Sequence, residues 1–184
     1  LTALDVLGYE RPTKLRGERA RLVGLVLPEL QNPIFPAFAE IVGGALTLWL
    51  LRAIGGDGVL HSVERREEFA QVAAANVATF LGVVPPNWHL RLGSVQDELP
   101  AIAEAGTVDR VILDMLAPWE CVDAAATALA PGGVLLCYVA TVTQLSRTAE
   151  AIRAAGCFDE PESSETLVRT WHVEGLAVRP DHRM

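Results

Sequence analysis

The sequence predicts an α/β protein built on a three-layer, Rossmann-like, mainly parallel sheet. Three observations carry that expectation. Short Val- and Leu-rich runs at 21–27, 59–63, 88–92, 108–113 and 134–139 alternate with segments of helical periodicity. Hydrophobic residues make up 51% of the chain and aromatic residues only 6%, so Ala, Val and Leu must build the interior. Strands alternating with helices imply right-handed crossovers and a parallel sheet buried on both faces. A chain of 184 residues suits a single domain, 1–184, with room for a real core.

Taken in order, residues 1–21 are polar and basic after a short apolar start and read as a hinge. Residues 21–27, RLVGLVL, form the first strand, and 28–33 a loop interrupted by Pro28 and Pro33. The run 34–54 carries only Glu40 and Arg52 as charges and ends at Gly55-Gly56, which reads as one buried core helix about 20 residues and roughly 30 Å long. Its apolar part, 34–51, nearly reaches membrane-span length, but Glu40, Pro36 and Gly43-Gly44 argue against a span. Residues 59–63 form a strand closed by Glu64. Residues 65–80 form an amphipathic helix with Phe69, Val72, Ala73, Asn76 and Phe80 near one face. A strand at 88–92 is followed by a loop with a short helix at 93–106, a strand at 108–113 and a helix at 119–129. Pro131-Gly132-Gly133 turns into a strand at 134–139, and a helix at 143–155 has Thr141 or Thr143 as its cap. Residues 166–178 alternate like one long strand or two short ones.

Charge narrows the function classes. The net charge is −8, and Lys14 is the single lysine beside the arginines, a poor balance for autonomous nucleic-acid binding. Cys121, Cys137 and Cys157 lie far apart in apolar surroundings and read as buried free thiols in a reducing cytoplasm, with no zinc-type spacing. His61, His89, His172 and His182 show no metal-ligand spacing either, so no metal is expected. Trp49 and Trp171 read as core residues. The N-terminus carries no signal-peptide pattern.

Two carboxylates stand out by position. Asp114 closes the strand at 108–113, and the C-terminal end of a central α/β strand is where such sheets bind ligands. Pro118 and Trp119 could wall a flat pocket beside it; the alternative is a turn or helix-cap Asp. Glu64 closes the strand at 59–63, where an acid can accept hydrogen bonds from a ribose diol or cap the next helix.

The blocks GALTLWLLRAIG, SVERREEFAQVAAANV, PPNWHLRLG, VDRVILDMLAPWE, PGGVLLCYVATVTQLSRTAEAIR and ETLVRTWHVEGLAVRPDHRM, spread in order over 44–184, resemble the tRNA adenine-N1 methyltransferases. That resemblance implies the class I methyltransferase fold, S-adenosylmethionine as cofactor, tRNA as partner and a usually tetrameric enzyme. By matching position, Gly43, Gly44, Ala45 and Leu46 are cofactor-binding as the end of the family's glycine-rich loop. Glu64 is the ribose acid. Asp114 is the catalytic carboxylate near both the cofactor and the target adenine. The resemblance ends at Met184, before the family's last strand, so the sheet is expected to lack that strand and to expose an edge near 166–178, open to self-association.

Residues 1–43, on the string LDVLGYERPTKLRGERARLVGLVLPELQNPIFPAFAEIVGGAL that runs from Leu4 into the join at Leu46, resemble instead a LacI-type transcriptional regulator: hinge, first strand and start of the first helix, without the helix-turn-helix. The chain thus reads as a chimera joined at Gly43-Gly44-Ala45-Leu46, a cytoplasmic protein with no sequence-specific DNA binding and no membrane span. With the two glycines inside a continuous helix, their N–H groups would be used up, so cofactor binding and activity are expected to be impaired. The alternatives are an inactive fold chimera and a sugar-type binding domain using Glu29-Leu30-Gln31-Asn32.

Overall fold

A computed structural model describes residues 21–23, 44–165 and 169–180 of the chain. Five strands form one sheet: β1 (Arg21–Val23), β2 (Val59–Glu64), β3 (Trp88–Leu92), β4 (Val108–Asp114) and β5 (Leu129–Tyr138). Their order is β3-β2-β1-β4-β5, and every pairing is parallel. The chain steps outward from β1 to β3, then crosses back to β4. The β1–β4 boundary is therefore the switch point, where the loops after neighbouring strands diverge and leave a crevice.

The helices are α1 (Ala45–Ile54), α2 (Glu67–Leu81), α3 (Val95–Ile102), α4 (Val122–Ala128) and α5 (Val142–Ala155), with a 3-10 turn at Pro118–Cys121. Two apolar cores lie on opposite faces of the sheet. Leu60 of β2 packs with Leu51 of α1, Val77 of α2 and Trp88 of β3. Three residues on, an odd step that turns the side chain over, Val63 packs with Val95 and Leu99 of α3 and with β4 and α4. Leu60, Val63, Val77, Leu99, Val108, Val111 and Leu113 are all fully buried. Burying each such side chain is worth about 1.5–3 kcal/mol.

The helix read across 34–54 is corrected at Gly44. There the backbone takes φ +83°, ψ 1°, and α1 begins only at Ala45. Residues 34–43, Gly43 included, lie outside the described residues, as do 24–27 of the first strand and the loop 28–33. The physical reason for the break is a close approach. A Cβ on Gly44 would sit 3.2 Å from the carbonyl oxygen of Ala73 and 3.3 Å from its Cα.

That approach also fixes the face of α2. Ala70, Ala73 and Val77 are buried, whereas Phe80 is exposed and Phe69 lies under the Arg66 guanidinium at 3.8 Å. Small residues are needed where two helices meet so tightly, so the aromatic face read from the sequence is rotated away. Trp49 is likewise not core but 66% exposed, because α1 buries Thr47 and Leu51 one turn apart and leaves Trp49 on the opposite side.

Further corrections follow from turn chemistry. The short helix expected within 93–106 is α3, and it is capped by Ser94, whose Oγ accepts from the Asp97 N–H at 3.3 Å. The helix expected at 119–129 splits into the 3-10 turn and α4, with Pro118 at the start of the turn. Pro131-Gly132-Gly133 is not a turn before β5 but part of it. Pairing steps from Val108↔Leu129 to Arg110↔Val134, two residues on β4 against five on β5, and that irregularity absorbs the Pro-Gly-Gly. Residues 171–180 form a separate antiparallel hairpin, β6 (Trp171–Glu174) and β7 (Ala177–Pro180), not an edge of the main sheet. Trp171 is 57% exposed there, and Cys157, just past α5, is exposed rather than buried. Among the described residues, the main sheet's edges are β3 and β5.

Candidate functional site

A cleft of about 310 Å³ opens at the C-terminal ends of the strands. β2 contributes Glu64 with the following Arg65 and Arg66; the β3–α3 turn contributes Gly93 to Gln96; the segment after β4 contributes Met115, Leu116, Ala117 and Glu120. The Gly93 N–H donates to the Glu64 carbonyl at 2.9 Å and holds the first two groups together.

Glu64 is 3% exposed. Its Oε1 accepts the Arg66 backbone N–H at 2.9 Å and lies 3.7 Å from the Arg66 Nε. Its Oε2 is buried with no partner. Burial pushes this carboxyl above the ordinary carboxylate range, and the Arg66 N–H and charge pull it only partly back. A buried oxygen left unpaired carries a desolvation penalty of about 1–3 kcal/mol, which a bound hydroxyl donor would relieve. Glu64 therefore does not cap α2 through its second oxygen.

Asp114 ends β4 level with Tyr138 of β5 and is half-buried, its carboxyl raised by burial. It does not line the cleft; its neighbour Met115 does. The wall expected from Pro118 and Trp119 is corrected to Leu116, Ala117 and Glu120, because Pro118 turns inward as a fully buried residue and Trp119 lies under the Arg147 guanidinium at 5.2 Å.

Gly44, Ala45 and Leu46 stand at the N-terminus of α1 and do not line this cleft. No side chain caps that helix end, and Leu48 donates to the Gly44 carbonyl at 3.0 Å. The continuous helix from which impairment was expected thus does not run through Gly44. Ser94 lines the cleft at the start of α3, and its hydroxyl is held by Asp97 Oδ2 at 2.6 Å. The sequence pattern Ser-x-x-Asp after a strand was the signal for that cap.

Two residues scattered in sequence come together elsewhere. His61 and His89 face each other across β2 and β3 with ring centroids 4.9 Å apart. Burial, with the nearby His89 and Arg91, pushes His61 down to about 4, so it is neutral at physiological pH. No group of three or more potential metal ligands occurs among the described residues, and none of their helices is long and apolar enough to cross a membrane.

Known proteins are similar to this chain in sequence and in fold. The chain is 37% identical over 139 residues to the tRNA (adenine(58)-N(1))-methyltransferase TrmI of Thermus thermophilus, which covers 74% of this chain and 51% of that protein. The fold matches a SAM-dependent O-methyltransferase of Thermotoga maritima with a TM-score of 0.68 at 25% identity, over 91% of this chain and 55% of that one. A separate N-terminal segment is 72% identical over 47 residues to the HTH-type transcriptional regulator reg1 of Streptomyces lividans, 26% of this chain and 14% of the regulator. The chain thus spans about half the length of its methyltransferase relative and a small part of the regulator. The fold is that of the class I S-adenosylmethionine-dependent methyltransferases. The pattern of the tRNA methyltransferase complex GCD14 subunit matches residues 40–181, and the chain belongs to that family of tRNA methyltransferases.

Proposed function

We propose that the chain is the cofactor-binding portion of a tRNA adenine-N1 methyltransferase, fused to a LacI-type regulator fragment over 1–43. The observation that carries the reading is the unpaired Oε2 of Glu64 beside a cleft at the sheet's C-terminal end. S-adenosylmethionine is the methyl donor of this chemistry. Glu64 would hold its ribose and the Ser94 turn its adenine. The N-terminus of α1 at Gly44, Ala45 and Leu46 would face its methionine part. Half-buried Asp114 would accept from the amino group of a target adenine and align the ring nitrogen for attack.

Activity is reduced in this reading because of the segment 28–33. The segment 28–33 is not glycine-rich, and its two prolines carry no backbone N–H to offer the cofactor. The three free thiols suit a reducing, cytoplasmic setting. The acidic balance disfavours DNA and leaves tRNA binding weak.

Isothermal titration of the purified chain with S-adenosylhomocysteine tests the proposal. Saturable binding that Glu64→Gln weakens supports it. Absence of binding at millimolar ligand, with the chain folded by circular dichroism, sinks it.

A further inference from the structure

We propose that Gln144 is a positioning residue that fixes the segment after β4 against the loop after β5 and so shapes the cleft. Gln144 lies in the first turn of α5, outside the cleft. Its Nε2 donates to the Leu116 carbonyl at 2.8 Å, across 28 residues of sequence. Its Oε1 accepts from the Ala140 N–H at 3.1 Å and from the Thr141 hydroxyl at 3.0 Å. The two ends of the amide cannot be exchanged, because a backbone carbonyl needs a donor and a backbone N–H needs an acceptor.

One side chain thus ties together two loops that leave adjacent strands. Leu116 and the next residue, Ala117, are walls of the cleft, and Asp114 is two residues before Leu116. Arg147, one turn further along α5, holds the same segment a second time by lying over Trp119. The segment from 114 to 120 has no strand partner beyond Asp114↔Tyr138, so these contacts, with the buried Pro118 and the packing of Met115 on the core, set where it stands. The inference rests on the cleft being the cofactor site.

A plain capping role is the competing explanation, since Thr141 and Gln144 form a variant of the capping box at the start of α5. Gln144→Glu separates the two. A carboxylate keeps both acceptor contacts and suits a helix N-terminus, but it cannot donate to Leu116 and sets negative charge against that carbonyl.

The experiment compares wild type, Gln144→Glu and Gln144→Ala by amide hydrogen exchange without ligand and by titration with S-adenosylhomocysteine. Gln144→Glu is expected to leave the melting temperature and the exchange of α5 unchanged. It should speed exchange across 115–120 and weaken S-adenosylhomocysteine about five- to tenfold, the worth of one hydrogen bond. Unchanged exchange across 115–120 in Gln144→Glu overturns the clamp. Faster exchange with unaltered affinity overturns its bearing on the cleft. A wild type that binds no S-adenosylhomocysteine defeats the cofactor reading, while the exchange comparison still decides the clamp.

Discussion

Replacing Gly44 by Ala tests whether the bend at the start of α1 is set by helix packing. Two effects add there. A non-glycine residue at φ +83° meets left-handed strain of about 1–2 kcal/mol. The new Cβ would also lie 3.2 Å from the Ala73 carbonyl oxygen, 3.3 Å from the Ala73 Cα and 3.4 Å from Val77 Cγ2. Two of those atoms are helix backbone, which cannot rotate away, so α1 and α2 must part by a few tenths of an ångström. Overpacking of this kind costs about 1–3 kcal/mol. Gly82 supplies the control: its φ is +73°, and a Cβ there meets nothing within 4 Å. Gly82→Ala should therefore show the strain alone, about 1–2 kcal/mol, and Gly44→Ala should exceed it by about 1–3 kcal/mol. Urea unfolding of both variants measures the difference. With a slope of roughly 1–3 kcal/mol per molar urea, the two midpoints should separate by about 1 M. Equal midpoints would show that the approach of α1 to α2 does not fix the bend, and the explanation for the break in the expected long helix would fall.

Three other outcomes follow from buried groups. Ser62 accepts from Trp88 Nε1 at 3.0 Å and lies 3.1 Å from Thr47 Oγ1, so Ser62→Ala leaves two buried groups unpaired. It should cost about 2 kcal/mol by urea unfolding, with part recovered by adding Thr47→Val. Cys157 is exposed, whereas burial pushes the Cys121 thiol up to about 11 and the Cys137 thiol up to about 12. A thiol reagent at mildly alkaline pH should label one site quickly, identified as Cys157 by peptide mapping, and the other two only on unfolding. Glu64 holds its proton longer when folded than when unfolded, so wild-type stability falls as pH rises from 4.5 through the raised native value. Gln in its place removes that loss: Glu64→Gln should match wild type below pH 4.5 and exceed it at neutral pH, measured as urea midpoints.

Much of the architecture was legible because it depends on near neighbours in sequence. β3 was bounded correctly at Trp88 and Leu92, since Pro85-Pro86-Asn87 and Gly93 punctuate it and the apolar run between is short. The cap of α5 was legible only as Thr141 or Thr143, and the bond from the Gln144 N–H selects Thr141. What failed was the choice of face. Trp49, Phe80 and Trp171 are large and apolar, yet all three are exposed. Hydrophobicity alone picks them as core, whereas the close approach at Gly44 is made against Ala73 and Val77 of α2. Packing distance decides that selection, and a single sequence does not display it.

The site divides along the same line. Glu64 could be found because a strand end is visible in sequence, and its missing partner became visible only in three dimensions. Asp114 was legible as a strand end for the same reason, but being the last residue of a strand does not say toward which side the next residues turn. They turn so that Met115, Leu116 and Ala117 reach the cleft while Asp114 stays half-buried beside it. Gln144 had no local signal for its longer reach, because its partner is a backbone carbonyl 28 residues away and carbonyls are identical at every position. Carboxylates at strand ends thus advertise a site in sequence, whereas the amide that sets the distance between its walls is found only once the fold has brought two loops together.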